Sequence, residues 1–118
     1  MTRPPDFASL RAAWWAHSAL RAARRALAEG EIRGIELPAP PVLPASAIRG
    51  VVGWLRHREH TCLEGALVRQ RWLAAHGEPR AIAIGVTAPS QGFAAHAWLV
   101  GEDDPRVPVF HELTRLEP

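Results

Sequence analysis

The 118-residue chain contains one cysteine, so it cannot form an internal disulfide. This excludes the disulfide framework that stabilises many small secreted domains and favours a reducing compartment such as the cytosol. The sequence also lacks an uninterrupted apolar run of about 20 residues, the length that a membrane-spanning helix needs. Its first residues lack the apolar segment of a signal peptide. We therefore expect a cytoplasmic protein without a membrane span.

The chain has little excess of either charge. Its 14 basic and 12 acidic residues leave a formal net charge of +2, and every basic residue is arginine. A dominant electrostatic attachment to nucleic acid or to an anionic membrane is therefore not indicated. The length and the apolar content of 47% suit a globular fold with one core. We predict a single domain, residues 1–118, in which residues 1–45 form a helical arm with a Pro-rich connector.

Two helices are predicted in the first half of the chain. The first runs from Phe7 to Glu29, with Asp6 as its N-cap and Gly30 as its stop. Apolar residues at near-helical spacing define one face and arginines the other: Leu10, Trp14, Leu20 and Leu27 against Arg11, Arg21, Arg24 and Arg25. A run rich in proline then excludes helix and central strand. Ser46 should cap the second helix, which runs to about His57.

The tetrapeptide TCLE marks the start of a third helix. Thr61 and Glu64 have the capping-box spacing, in which the Thr hydroxyl and the Glu carboxylate each bind a free backbone N–H of the first turn. This spacing places Cys62 at the first helical position. The helix should continue to His76, because Gly77 favours termination there.

After the third helix the apolar period changes from 3.6 to 2, which predicts strands. The first strand contains residues 82–86, the second runs from Phe93 to Val100, and the third from Arg106 to Glu112. We expect the last two strands to pair as a hairpin across a loop at residues 101–105. Helices followed by antiparallel strands predict an α+β fold.

Cys62 and His96 are the predicted catalytic pair. At a helix start, unpaired N–H groups and the helix dipole favour the thiolate form of Cys62, and the same N–H groups could bind an oxyanion. A thiolate nucleophile needs a neighbouring imidazole for proton exchange. His96 lies on a predicted strand, in the sequence AAHAW, where small neighbours allow close approach. Taken singly, each residue also has a structural explanation, a small buried thiol or a core histidine.

Glu112 is the predicted acid that orients the imidazole. If the paired residue numbers of the hairpin sum to an even number, Glu112 lies on the same face of the sheet as His96, opposite or diagonal to it. An odd sum would turn Glu112 to the other face. Asp103 and Asp104 are nearer in sequence, but a straight strand would place them more than about 15 Å from His96, so we assign them to the turn.

Neither a metal ion nor a cofactor is expected. His57, His60 and Cys62 are close enough in sequence to suggest zinc. Structural zinc sites need four ligands at characteristic spacings, and this chain offers neither a recognisable fourth ligand nor a second cysteine.

Two segments carry a family resemblance: TCLEGALVRQRWLAAHGEPRAIAIGV and GFAAHAW. They resemble the leader peptidases of lasso-peptide biosynthesis, cysteine proteases of the transglutaminase-like, papain-related superfamily. The similarity covers about Trp54 to Glu112. It implies a bacterial cytoplasmic enzyme with a catalytic core at residues 46–118, where a helix bearing the catalytic Cys packs on a small antiparallel sheet. It also implies a triad of Cys62, His96 and Glu112, although the acid is commonly an Asp nearer to the histidine.

The resemblance further implies a substrate and partners. The reaction would be hydrolysis of one peptide bond in a ribosomally made precursor peptide, which releases the leader before a separate macrolactam-forming cyclase acts on the core. Such peptidases work with a separate leader-binding recognition protein. The first helix or the Pro-rich connector is a candidate contact surface for that protein.

Two other functions remain open on the same residues. An amine instead of water could resolve the acyl-enzyme, which would make the chain an acyltransferase of the transglutaminase type. The chain could also be a non-catalytic peptide-binding module. Ready alkylation of Cys62 by iodoacetamide near neutral pH would indicate an activated thiolate and hence an enzyme, whereas reaction only at high pH would favour this second alternative.

Overall fold

The computed structural model describes residues 6–88, 90, 92, 94–102, 104, 105 and 107–118. Within these residues, three α-helices precede a three-stranded antiparallel sheet, which confirms the predicted α+β fold. The helices are α1 (Phe7–Ala28), α2 (Ile48–Arg56) and α3 (Cys62–Ala75), and the strands are β1 (Ile82–Thr87), β2 (Ala95–Leu99) and β3 (Phe110–Leu116).

The chain divides into two compact units after His60, which we call the N-terminal unit and the C-terminal unit. Helices α1 and α2 belong to the first unit, whereas α3 and the sheet belong to the second. The expected division into an arm of residues 1–45 and a core of residues 46–118 stays a prediction.

Helix α1 begins and ends where the sequence predicts. The carboxylate of Asp6 accepts a hydrogen bond from the N–H of Ser9 at 2.7 Å, and Gly30 follows the helix with a φ of 85°. The predicted apolar face is wrong for Leu10 and Trp14, which are 54% and 76% exposed, whereas Leu20 is buried as expected. The buried residues of the helix are mostly small: Ser9, Ala12, Trp15, Ala16, Ala19, Leu20 and Ala23.

The close approach of α2 explains this choice of face. A Cβ added to Gly50 would lie 1.9 Å from the carbonyl oxygen of Ser9, so the two helix backbones touch at this point. Only small side chains of α1 fit such a crossing, and the larger ones lie elsewhere. Ser46 does not cap α2 as predicted, because the helix begins after a 3₁₀ turn at Ala45–Ala47 and has no side-chain cap.

The sheet has the strand order β2-β1-β3, with both pairings antiparallel. The predicted hairpin between the last two strands is therefore wrong, and β1 lies between them. Strand β3 starts at Phe110, after a 3₁₀ turn at Val107–Val109. Phe93 and Arg106, the predicted first residues of the second and third strands, lie outside the described residues.

Helix α3 packs chiefly against β2. Trp72 and Val68 from the helix and Ile82 and Leu99 from the sheet are among the fully buried side chains. The buried amide of Gln70 fixes the helix to the sheet, because it donates hydrogen bonds to two backbone carbonyls, at 2.9 Å before β1 and at 3.0 Å at the end of β3. The C-terminal unit thus has one core between helix and sheet.

We expect Gly50→Ala to lower the free energy of unfolding by about 1–3 kcal/mol, the usual cost of overpacking. The matched control is Gly53→Ala on the same helix, where an added Cβ meets nothing within 4 Å. That substitution should raise stability by about 0.5–1 kcal/mol, because alanine favours the helical backbone. Urea denaturation of both variants measures the difference, and equal effects would contradict the backbone contact.

Candidate active site

Cys62 is the first residue of α3 and is exposed, as the sequence predicts for the helix start. The capping box is complete: the hydroxyl of Thr61 accepts from the N–H of Glu64 at 3.1 Å, and the carboxylate of Glu64 accepts from the N–H of Thr61 at 2.9 Å. These two bonds fix the residue at which the helix begins. The thiol therefore lies where the free N–H groups and the helix dipole favour negative charge.

The open edge of β2 lies against this helix start. The N–H of Thr87 donates to the carbonyl of Ala94 at 2.9 Å. Because hydrogen-bonded positions alternate along an antiparallel pair, the even-numbered residues of β2 direct their N–H and C=O groups toward β1. The odd-numbered residues therefore direct their N–H groups away from the sheet. One of these, the N–H of Ala97, donates to the Sγ of Cys62 at 3.3 Å. The structure thus brings the thiol to the residue directly after His96.

The imidazole of His96 is buried and bound to a carboxylate. Its side chain is 5% exposed, and its Nε2 lies 2.7 Å from the Oδ2 of Asp104, whose side chain is 15% exposed. Since Nε2 is occupied, Nδ1 is the ring nitrogen left for proton exchange with a thiol. A histidine oriented by a carboxylate in this way has the arrangement that general-base catalysis needs.

Asp104 reaches His96 because the chain reverses immediately after β2. The N–H of Glu102 donates to the carbonyl three residues before it at 3.2 Å, and Gly101 has a φ of 93°. The expectation that Asp104 only serves the turn is wrong, because it assumed that the strand continues straight. Asp103 lies outside the described residues.

Two arginines hold this turn in place. Arg69 on α3 binds the carboxylate of Glu102, with a distance of 2.7 Å from Nη1 to Oε2. Arg80 donates from Nη1 to the carbonyl of Val100 at 3.1 Å. The turn that delivers Asp104 is thereby tied to α3 and to the chain before β1.

Two aromatic rings cover the imidazole of His96. Trp98 stacks on it with a centroid distance of 5.8 Å, and Phe110 approaches to 5.2 Å. Phe110 comes from β3, so this contact crosses β1 at Gly85, which has no side chain. A Cβ added there would lie 2.9 Å from the ring of Trp98 and 2.8 Å from the carbonyl oxygen of His111. The missing side chain therefore leaves room for the rings.

Glu112 is in register with His96 but does not contact it. Both residues pair with Gly85, one on each side of β1, which puts their backbones about 10 Å apart. The carboxylate of Glu112 instead binds Arg115 at 2.7 and 3.1 Å. The hydrogen bond from Arg115 lowers the pKa of Glu112, and the smaller effect of burial opposes it. The acid placed at the imidazole is Asp104.

The structure gives no support for metal binding in the part of the chain that it describes, where no group of three or more His, Cys, Asp or Glu side chains could hold an ion. In the same described ranges, every helix is too short or too polar to cross a bilayer. The His60 ring, considered above as a zinc ligand, has its Nδ1 2.8 Å from the carbonyl of Arg58.

A sequence profile described as transglutaminase-like superfamily matches residues 7–113. The chain belongs to the transglutaminase-like superfamily. Members of this superfamily are often cysteine peptidases or acyltransferases, two reactions that share a thiolate nucleophile and an acyl-enzyme. Neither the curated proteins nor the solved structures include a match to the chain.

We expect Glu112→Gln to lower the melting temperature slightly at pH 7 and less at pH 3. The Arg115 hydrogen bond lowers the pKa of Glu112 below its ordinary value of 4.5, so the stabilisation is fully present above that pH. It is lost as the pH falls through the lower pKa of the folded state. Thermal melting at both pH values tests this, with Glu78→Gln on the surface as control. An equal loss at both pH values would show that the ion pair does not cause it.

Proposed function

We propose that the chain is a cysteine peptidase in which Cys62 is the nucleophile, His96 the general base and Asp104 the orienting acid. One arrangement supports the proposal. The exposed thiol of Cys62 at a helix start accepts a hydrogen bond from the N–H of Ala97, the residue after His96, and the imidazole of His96 is hydrogen-bonded to the carboxylate of Asp104. Membership of a superfamily that often uses a cysteine nucleophile supports it. Asp104 takes the role that was predicted for Glu112 from the sequence.

The three residues have separate tasks in the reaction. His96 accepts the thiol proton at Nδ1, and the thiolate of Cys62 attacks the carbonyl carbon of the scissile bond. The carbonyl oxygen becomes negative, and the free N–H groups at the start of α3 are the donors that this geometry offers it. The imidazolium then protonates the leaving amine, which leaves a thioester. A water molecule deprotonated by His96 hydrolyses the thioester, while Asp104 keeps the imidazole oriented throughout.

The proposed substrate is the precursor of a lasso peptide, cleaved between leader and core before a separate cyclase closes the macrolactam. The resemblance of residues 61–86 and 92–98 to leader peptidases supports this specificity. The exposure of Cys62 suits it as well, because a polypeptide substrate has to reach the sulfur. Acyl transfer to an amine uses the same three residues and is the second candidate, since the superfamily includes acyltransferases.

The leader-binding recognition protein is proposed to contact α1. Helical periodicity places most of the exposed residues of α1 on one strip, apolar near its start and basic near its end: Phe7, Leu10, Arg11, Trp14, Ser18, Arg21 and Arg25. A groove of about 490 Å³ lies beside Trp14, lined also by Pro38 and Pro41 of the connector. A partner segment with apolar side chains followed by carboxylates would complement this strip.

We expect Asp104→Ala to lower precursor cleavage at least tenfold and Glu112→Ala to leave it near the wild-type rate. Removal of the orienting carboxylate leaves the imidazole free to adopt unproductive positions, whereas Glu112 only binds Arg115. Cys62→Ala should abolish cleavage. Mass spectrometry of a lasso-type precursor, incubated with the protein and its leader-binding partner, measures all three variants.

The same experiment separates the competing functions. Normal cleavage by Asp104→Ala together with a loss in Glu112→Ala would return the orienting role to Glu112. Capture of the acyl group by an added primary amine in place of water would identify an acyltransferase. If the wild type leaves the precursor intact while Cys62 alkylates readily at neutral pH, the peptidase assignment is rejected and the thiolate site is retained.

The double charge reversal Arg21→Glu and Arg25→Glu should slow partner-dependent cleavage about tenfold at low salt, because it replaces attraction by repulsion. Alkylation of Cys62 should not change, since this reaction needs neither the partner protein nor a precursor peptide. The control is Arg56→Glu, an exposed arginine at the end of α2. Unchanged processing by the double variant, or an equal effect of the control, would exclude this strip as the contact surface.

A further inference from the structure

The N–H of Ala97 has no task in the reaction described above, yet it donates to Cys62 Sγ. A thiol is a weak acceptor, whereas a thiolate accepts strongly, because hydrogen bonds to a charged partner are about twice as strong as neutral ones. We propose that this backbone N–H is a thiolate donor, which binds the Cys62 sulfur and stabilises its anionic form once His96 has taken the thiol proton. The inference rests on the proposed function in one respect, because peptide cleavage would use this same thiolate.

The strand position of Ala97 makes its N–H available at little cost. An odd-numbered residue of β2 directs its N–H away from β1, so the bond to sulfur replaces no hydrogen bond of the sheet. Ala97 is 4% exposed whereas Cys62 is exposed, so the hydrogen bond is part-buried and water screens it only from the side of the sulfur. The dipole of α3 acts on the sulfur in the same sense.

The bond also separates two roles that a catalytic histidine is usually given together. Within the described residues, the sulfur has its hydrogen bond from Ala97, while the imidazole of His96 has its own from Asp104. The other titratable group within a turn of Cys62 on α3 is Glu64, whose carboxylate is held by the capping box. Stabilisation of the thiolate therefore falls to the backbone, and proton transfer falls to His96. The hydrogen bond from Ala97 to the sulfur should therefore remain in His96→Ala.

The direct test removes one N–H and leaves the side chain unchanged. Semisynthesis with L-lactate in place of Ala97 converts the donating N–H into an ester oxygen. L-lactate at Ala95 is the matched control, because that residue also directs its N–H to the open edge. Each ester also makes the preceding carbonyl, that of His96 or of Ala94, a weaker hydrogen-bond acceptor. Both of these carbonyls face β1, so the two variants share this side effect. Thermal melting verifies that both proteins fold.

The readout is the rate at which iodoacetamide alkylates Cys62 at pH 7. The ester at 97 should lower this rate about tenfold, as expected for loss of a hydrogen bond to a charged group, and the ester at 95 should change it less than twofold. A wild-type rate in the folded ester at 97 would overturn the proposal. The alkylation assay uses no precursor peptide. Failure to cleave the precursor would therefore reject the peptidase function and leave the test of the thiolate donor unaffected.

A second measurement uses the unmodified backbone. In protein labelled with ¹⁵N-alanine, the amide resonance of Ala97 should move over the same pH range in which the alkylation rate of Cys62 rises. The movement should disappear in Cys62→Ala and persist in His96→Ala. The reverse pattern, movement that survives in Cys62→Ala and is lost in His96→Ala, would assign the effect to the imidazole and reject the thiolate donor.

Discussion

The edge position of β2 is the constraint on which the candidate site depends. A central strand uses both sets of its backbone groups for its neighbours, whereas an edge strand leaves one set unpaired. In β2 the paired set holds His96 against Gly85, and the unpaired set offers the N–H of Ala97 to the sulfur of Cys62. Unpaired edges also invite aggregation, and the start of α3 lies against this one. The contact that builds the site therefore also blocks part of an exposed edge.

Local structure could be predicted from the sequence, whereas the order of the strands in the sheet could not. The capping box joins residues three apart, so TCLE was sufficient to place Cys62 at the start of α3. Alternation of apolar residues located β1 in the same way. The order of the strands depends on which of them pairs along both of its edges, and no local pattern reports this. Consecutive strands usually pair, which favoured a hairpin of β2 with β3. The structure instead places β1 between them, and this removes Glu112 from His96.

The acid at the imidazole was missed for a reason of geometry. A straight strand carries Asp104 away from His96, whereas the turn at Gly101 brings it back into contact. The glycine in that loop was a usable signal, and so was the family preference for an Asp nearer to the histidine. Leu10 and Trp14 were assigned to the wrong face of α1 because the buried face depends on the partner helix. Periodicity within α1 contains no information about Gly50, whose missing side chain selects the small residues for the buried face.

Helix α3 secures two parts of the site that are distant in sequence. It carries Cys62 at its first residue, and about two turns later it carries Arg69, which binds Glu102 in the turn that delivers Asp104. If α3 detaches during local opening of the C-terminal unit, the sulfur leaves its donor and the turn that carries Asp104 loses one of its two arginine contacts in the same event. The positions of the sulfur and of the acid are therefore coupled through α3. The stability of this one helix thereby limits how often the candidate site is fully assembled.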